Sequence, residues 1–358
     1  MSTGPKPKPI NVKKTVILGG LLIAFFLFTY TRNLRVPDNP TLTGHTMGTT
    51  YTVKLVGFEG KRKQLLELQT AIDKHLQEIN LQMSTYLTES EISTFNQHTS
   101  TSPFRVSPDF AQVTRTALDL SQASGGGFDP TLDPLINLWG FGSGQARIDE
   151  PDPDQVEDLK KQCGYQLIQV VGEQQLRKSN PNVHLNLNAI AKGFGVDKIA
   201  ELLAERNYEQ YYVEIGGEVR VRGSNPENKP WRIGIDRPLH NGTPGQDLLH
   251  VVHLRDKAIA TSGDYRNFFE GKNGFMYSHI LDPRSGRPVT NRVASVSVIA
   301  DTCTQADGLA TTLMVLGPEK GMALVESRDG VSALFMLRSK DGVLRNKASE
   351  GFTGYLTP

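Results

Sequence analysis

The chain has 358 residues, 38% of them hydrophobic, and a formal net charge of +1 from 39 Lys and Arg against 38 Asp and Glu. That length buries one large core or two ordinary ones, and the balanced charge gives no electrostatic footprint for a nucleic-acid partner. Two cysteines, Cys163 and Cys303, are too few for a disulfide scaffold and lack a metal-type spacing such as C-x2-C, so both read as structural positions, with a pairing between them left open.

Residues 15–31 (TVILGGLLIAFFLFTYT) carry no charge and follow Lys6, Lys8, Lys13 and Lys14. A helix of about 17 residues is about 25 Å long, enough to span a bilayer if its flanks snorkel. No small-x-small cleavage site follows, which favours an uncleaved single-pass anchor over a removed signal. The preceding lysines keep the N-terminus (1–14) in the cytoplasm and put the body outside it, although Arg32 and Arg35 weaken the asymmetry. Residues 32–42, with VPDNP at 36–40, form a short stiff linker, and the folded domain begins near Thr43 and runs to residue 358.

Within the body, residues 50–56 alternate like a strand. Leu65, Leu68, Ile72, Leu76, Ile79 and Met83 recur at steps of three and four, so 61–83 is predicted as an amphipathic helix. A second helix starts at Ser107 with Pro108 at its first position and stops at Gly125 to Gly127. A turn-rich stretch follows, then a short helix from Asp154 and strand-like runs at 166–171 and 183–187. A helix over 189–206 precedes strands at 211–215, 218–222, 232–236, 248–254 and 295–299, and helices at 305–316 and 319–327 close the pattern. With no internal repeat and no second linker, the simplest architecture is one compact mixed α/β body of the α+β class, with a two-lobed arrangement as the alternative.

Four segments hold polar residues where a plain core would not choose them. In ADGLATTLMVLG (306–317), Asp307 and Thr311 lie four apart and share a helix face, where two hard oxygen donors suit Mg2+; a capping aspartate and a back-bonded threonine are the plain alternative. In NLNAIAKGFGVDKIAELL (186–203), Lys192 falls in the first turn of the predicted helix, which favours phosphate. Lys198 stands where a dinucleotide fingerprint needs its third glycine, so a Rossmann site is disfavoured, and Gly193 and Gly195 equally suit close packing. In YYVEIGGEVRVRG (211–223), Glu214 precedes Gly216 and Gly217, either at a ligand or in a plain hairpin. In SHILDPRSGRPV (278–289), His279 is a general-base or phosphate-contact candidate, or a structural histidine, and Ser262 and Gly263 mark another turn or ligand loop. H-E-x-x-H, G-x-S-x-G and Walker motifs are missing, which removes the main support for zinc proteases, common serine esterases and P-loop enzymes.

The order of these blocks resembles the ApbE family of FAD:protein FMN transferases over nearly the whole body. The resemblance runs through GHTMGTTYTVK (44–54), QMSTYLTESEISTFN (82–96), FDPTLDPLINLWGFG (128–142), NLNAIAKGFGVDK (186–198), VEIGGEVRVRG (213–223), ATSGDYRNFF (260–269), HILDPRSGRPV (279–289) and ADGLATTLMVLG. It implies an FAD site drawn from Met47, Tyr86, Gly127, Phe128, Asp129, Thr131, Asn186, Lys192, Glu214 and Ile280. It also implies Mg2+ held by the backbone oxygen of Ala189 with Asp307 and Thr311. Asn186 departs from the aspartate of many members, and Ala310 from a further carboxylate in some.

The implied reaction is phosphoryl transfer: a Thr or Ser hydroxyl of a target protein takes FMN from FAD and AMP leaves, with His279 or Asp307 assisting removal of the proton. An Mg2+-dependent FAD pyrophosphatase and a non-catalytic FAD-binding module are the alternatives. The implied partners are membrane redox subunits of the Rnf or Nqr type, and the implied location is the inner membrane with the catalytic domain on its periplasmic side.

Overall fold

The computed structural model describes residues 20–22, 36–143, 149–239, 242–243, 245–265, 268–271, 276–339 and 343–356. The proposed anchor at 15–31 lies outside the described residues except for 20–22, which are helical. No helix among the described residues is long and apolar enough to cross a membrane.

An eight-stranded sheet organises the body, in the spatial order Thr41–Thr46, Thr49–Leu55, Tyr211–Ile215, Glu218–Arg222, Ala258–Gly263, Val293–Ala300, Ser332–Arg338 and Leu344–Ala348. Every neighbouring pair is antiparallel. Side chains alternate across a strand, so each face collects every second residue. Ala258 and Ala260 point to the helical side, where they join the clusters formed with Ile199, Leu203, Leu309 and Leu313. Ile259 and Ile299 point the other way, onto the hairpin Trp231–Asp236 and Leu248–Leu254 and onto Phe352. Both faces are therefore covered, and all eight residues of Val293–Ala300 are buried.

Three helices dominate the helical layer: Arg62–Met83, Ala191–Glu205 and Cys303–Glu326. The first buries Leu68, Ile72, Leu76, Ile79 and Met83, five of the six residues that define its sequence period. Pro108–Ala123 begins as its sequence predicts, with the Ser107 hydroxyl accepting from Phe110 N at 3.3 Å. The two predicted C-terminal helices form one rod broken at Gly317, whose φ of 73° and following Pro318 interrupt the helical path. There Asn291 Nδ2 donates to the Met314 carbonyl at 2.6 Å, satisfying an oxygen near the break.

A smaller apolar cluster of Leu132, Leu135, Trp139, Val156, Tyr277 and Leu281 packs beside the main core. Trp139 ties it to a distant turn through Nε1 to the Gly286 carbonyl at 2.9 Å.

One predicted element is absent: residues 183–187 are not a strand. Val183, Leu185 and Leu187 are fully buried, which produces the alternating pattern. The backbone groups of Leu185 are nevertheless paired by a side chain, that of Asn96, rather than by a neighbouring strand. Cys163 and Cys303 are both free, so the pairing left open by the sequence is not made.

Candidate active site

A cavity of 330 Å³ opens where the helical layer meets the strand ends. Asp307, Thr311 and Val315 line it at successive steps of four along Cys303–Glu326, so one stripe of that helix faces the space. Opposite stand Asn186, Asn188, Ala189 and Lys192, on the turn and first residues of Ala191–Glu205. Gly127, Phe128 and Asp129 supply a third wall, Thr261, Ser262 and Gly263 a fourth, and His279 and Ile280 a fifth. Tyr86, 60% exposed, stands at the edge.

The two helices approach closely because Gly193 has no side chain. A Cβ there would fall 2.4 Å from the Cys303 carbonyl oxygen and 2.7 Å from Asp307 Cβ. At this contact Gly193 N donates to Asp307 Oδ2 at 2.9 Å, rather than to the Ala189 carbonyl four residues earlier. The carboxylate thus meets the positive end of a neighbouring helix. The Gly193 and Gly195 pair serves packing: a Cβ at Gly195 would sit 3.2 Å from both Ile215 Cδ1 and Met47 Cε.

Lys192 forms a 2.5 Å ion pair with Glu218, a residue only 3% exposed. Burial opposes the charge on the Lys192 ammonium, but the charges of Glu218 and Asp307 and the Glu218 hydrogen bond outweigh it and raise its pKa. Asp307 is pushed up to about 7, first by burial and then by the Glu218 charge, while Lys192 and the Gly193 N–H act in the opposite direction. A fixed cation between two carboxylates thus faces the cavity, with one of them poised to take or lose a proton near neutrality.

The Gly127–Asp129 wall is fixed from behind. Asp129 accepts from Thr131 N at 2.8 Å, Thr131 Oγ1 at 2.6 Å and Tyr165 N at 3.0 Å, and burial raises its pKa in spite of these bonds. Thr131 is fully buried and also accepts from Gly164 N at 2.6 Å. Asn186 Nδ2 donates to Asp133 Oδ1 at 2.9 Å, and its own Oδ1 accepts from Asn188 N at 3.0 Å. The amide suits its neighbour: a carboxylate at position 186 would oppose Asp133. Thr311 Oγ1 shares a hydrogen bond with Ser262 Oγ at 3.0 Å. His279 meets the edge of Phe141, another lining residue, at 6.3 Å between ring centroids.

Of the residues nominated from sequence, Tyr86, Gly127, Phe128, Asp129, Asn186, Ala189, Lys192, His279, Ile280, Asp307 and Thr311 line this one cavity. Three do not. Thr131 lies behind Asp129, and Met47, at a positive φ of 48°, packs against the core beside Gly195. Glu214 turns to its own hairpin, accepting from Gly217 N at 2.8 Å. That hairpin is the plain one weighed from the sequence, since residues 211–215 pair directly with 218–222. The residue missed was Glu218, on the far side of the two glycines. Alternation along Glu218–Arg222 puts it on the same side of the sheet as Arg220, which pairs with Asp197 of the adjoining helix. Ala310 is fully buried in the apolar core and faces away from the cavity chemistry.

Among the described residues, no group of three or more His, Cys, Asp or Glu side chains is gathered as a metal site. The donors here are of another kind. Asp307, the Thr311 hydroxyl and the Ala189 backbone are oxygen donors on walls of one cavity, which fits a hard cation such as Mg2+ and not a soft one.

The family model for the ApbE family matches residues 47–335. An FAD:protein FMN transferase of Vibrio cholerae is 44% identical over 317 residues, covering 88% of this chain and 92% of the relative. One from Haemophilus influenzae is 38% identical, covering 86% and 89%. Among solved structures, the flavin transferase ApbE from Vibrio cholerae superimposes with a TM-score of 0.80 at 42% identity over 89% of this chain and 99% of that one. The apo form of the Pseudomonas stutzeri flavinyl transferase ApbE gives 0.78 at 36% identity, over 88% and 96%. A family match across most of the chain, relatives above 30% identity over about nine tenths of their length, and a shared fold agree: the chain belongs to the ApbE family.

Proposed function

We propose that the cavity binds FAD and that the chain transfers FMN from it to a Thr or Ser hydroxyl of a target protein, releasing AMP. The observation that carries this reading is the juxtaposition of Lys192, Glu218 and Asp307 with the Gly127–Asp129 wall and His279 around one space. In the transfer, the acceptor oxygen forms a bond to the phosphorus on the FMN side of the pyrophosphate. The bond from that phosphorus to the bridging oxygen breaks, and AMP keeps the bridging oxygen.

Lys192 supplies a fixed positive charge for the pyrophosphate, held in place by Glu218. Asp307, Thr311 and the Ala189 carbonyl would hold Mg2+, which supplies charge neutralisation of the phosphates when bound. His279 takes the proton of the acceptor hydroxyl. Asp307 is the poorer base, since one of its oxygens already accepts from Gly193 and the other is wanted by the cation. Positioning and charge complementarity supply most of the acceleration.

The apolar stretch 15–31 and the lysines before it support an uncleaved anchor with the catalytic domain on the extracytoplasmic side of the inner membrane. Membrane redox subunits with an extracytoplasmic Thr or Ser, of the Rnf or Nqr type, are the acceptors that such a position would serve.

The test incubates the protein with FAD, Mg2+ and a candidate acceptor, then follows AMP release and flavin fluorescence that survives denaturation on a gel. Labelled acceptor with stoichiometric AMP, both lost on chelation, is the expected result. AMP with free FMN and no labelled acceptor would replace transfer by hydrolysis. Intact FAD throughout would leave a binding module.

A further inference from the structure

Residues 183–187, which lead Asn186, Asn188 and Ala189 to the cavity, lie outside any sheet and bury Val183, Leu185, Asn186 and Leu187. Buried backbone groups need partners, and a single extended strand cannot supply its own. Asn96, only 9% exposed, fills that role: its Nδ2 donates to the Leu185 carbonyl at 2.8 Å and its Oδ1 accepts from Leu185 N at 2.7 Å. One side-chain amide thereby reproduces the donor and acceptor pair of a neighbouring strand. The next residue, Asn186, donates its N–H to the Pro130 carbonyl at 2.7 Å and its side chain to Asp133. The Leu187 carbonyl then accepts from Ile190 N and Ala191 N, starting the turn that leads into Lys192.

Asn96 is itself fixed. It lies in the short helix Glu91–Gln97, and the fully buried Lys178 donates from Nζ to the carbonyls of Asn96 at 3.1 Å and His98 at 3.0 Å, with its ammonium 4.8 Å from the Phe95 ring centre. A cation on the last carbonyls of a helix stabilises that end.

We infer that Asn96 is a positioning residue for the flavin site: its amide, seated on Lys178, clamps Leu185 and so sets where Asn186, Asn188 and Ala189 meet the ligand. Asn96 does not line the cavity, and it acts through the backbone. The inference rests on the cavity being the FAD site.

Asn96→Leu keeps the size and removes both bonds, while Asn96→Asp keeps the acceptor for Leu185 N and loses the donor to its carbonyl. Val183→Ala is the control, a packing loss in the same segment that leaves the clamp intact. FAD affinity is measured by fluorescence well below each variant's melting temperature, with KM and kcat for FAD cleavage and amide hydrogen exchange over 183–192. The expected result is an FAD Kd and KM raised about tenfold in Asn96→Leu, less in Asn96→Asp, with faster exchange confined to this segment. Val183→Ala should lose stability while its Kd stays within about twofold. If Asn96→Leu does not fold, Asn96→Asp carries the test alone. Asn96 variants that only melt earlier, with FAD Kd and KM unchanged, would overturn the proposal. Wild-type protein that fails to bind FAD, or binds it equally after Lys192→Met, would instead overturn the assignment of the cavity, and the exchange measurement would still decide the clamp.

Discussion

Asp197 and Asp307 each cap the helix that carries the other. Asp307 accepts from Gly193 N in the first turn of Ala191–Glu205, and Asp197, one turn along that helix, accepts from Cys303 N at 2.9 Å and Thr304 N at 2.8 Å at the start of Cys303–Glu326. The exchange fixes the axial register of the two helices that form facing walls of the cavity. Asp197 forms an ion pair with Arg220 at 2.7 Å, whereas among the described residues Asp307 has no ion pair of its own and feels Lys192 only through space, with Lys192 paired to Glu218.

The two carboxylates should therefore respond differently to removal of charge. Asp197→Asn removes the charge that the half-buried Arg220 pairs with and weakens the cap on Cys303 N and Thr304 N, and is expected to destabilise the fold by about 1–2 kcal/mol in urea unfolding. Asp307→Asn keeps an oxygen for Gly193 and relieves a buried charge beside Glu218. It should leave metal-free stability at pH 8 equal or higher while reducing FMN transfer at least about a hundredfold.

The stability of the metal-free protein should fall with pH across the same site. Asp307 binds its proton more tightly when folded, near 7, than at its ordinary value of 3.8. The folded state therefore holds more protons between these values, and stability present below about pH 4 is lost as pH rises through about 7. Thermal melts without metal should show this trend, reduced in Asp307→Asn. Added Mg2+ should raise the melting temperature more at pH 8 than at pH 6, because the cation competes with the proton.

Gly193→Ala should separate the two helices, since the clash is with the Cys303 backbone carbonyl and not with a movable side-chain end. A loss of about 1–3 kcal/mol is expected, with transfer activity falling further than stability because Asp307 moves with its helix. Unfolding curves and AMP release on the same preparation would measure both.

The Asn186 and Asp133 pair predicts a compensated substitution. Asn186→Asp sets two carboxylates in hydrogen-bonding contact at a buried position and should cost about 1–3 kcal/mol at pH 8. Asp133→Asn in the same chain should recover most of it. A double-mutant cycle read by denaturation gives the coupling, and two additive losses would show that the residues act independently.

Much of the fold is legible in the sequence. The helices at 62–83 and 108–123, the strands around 211–215 and 218–222, and the break at Gly317 and Pro318 follow from local periodicity, capping and backbone chemistry. The run at 183–187 reads as a strand because apolar Val183, Leu185 and Leu187 alternate with polar His184 and Asn186, while the polar partner of Leu185 is a side chain 89 residues away in sequence. A paired-glycine turn likewise does not reveal which flanking carboxylate lines a cavity, and here it is Glu218 and not Glu214.

The sequence by itself determined which charged and oxygen-bearing residue types are available, the spacing of Asp307 and Thr311, and the glycines at 193 and 195, because those depend on neighbours within one element. Tertiary structure alone decided that Lys192 pairs with Glu218, that Asp307 and Asp197 exchange caps, and that Asn186 answers Asp133. Each of these is a contact between elements distant in the chain, and its strength depends on burial and facing charge, which no local pattern encodes.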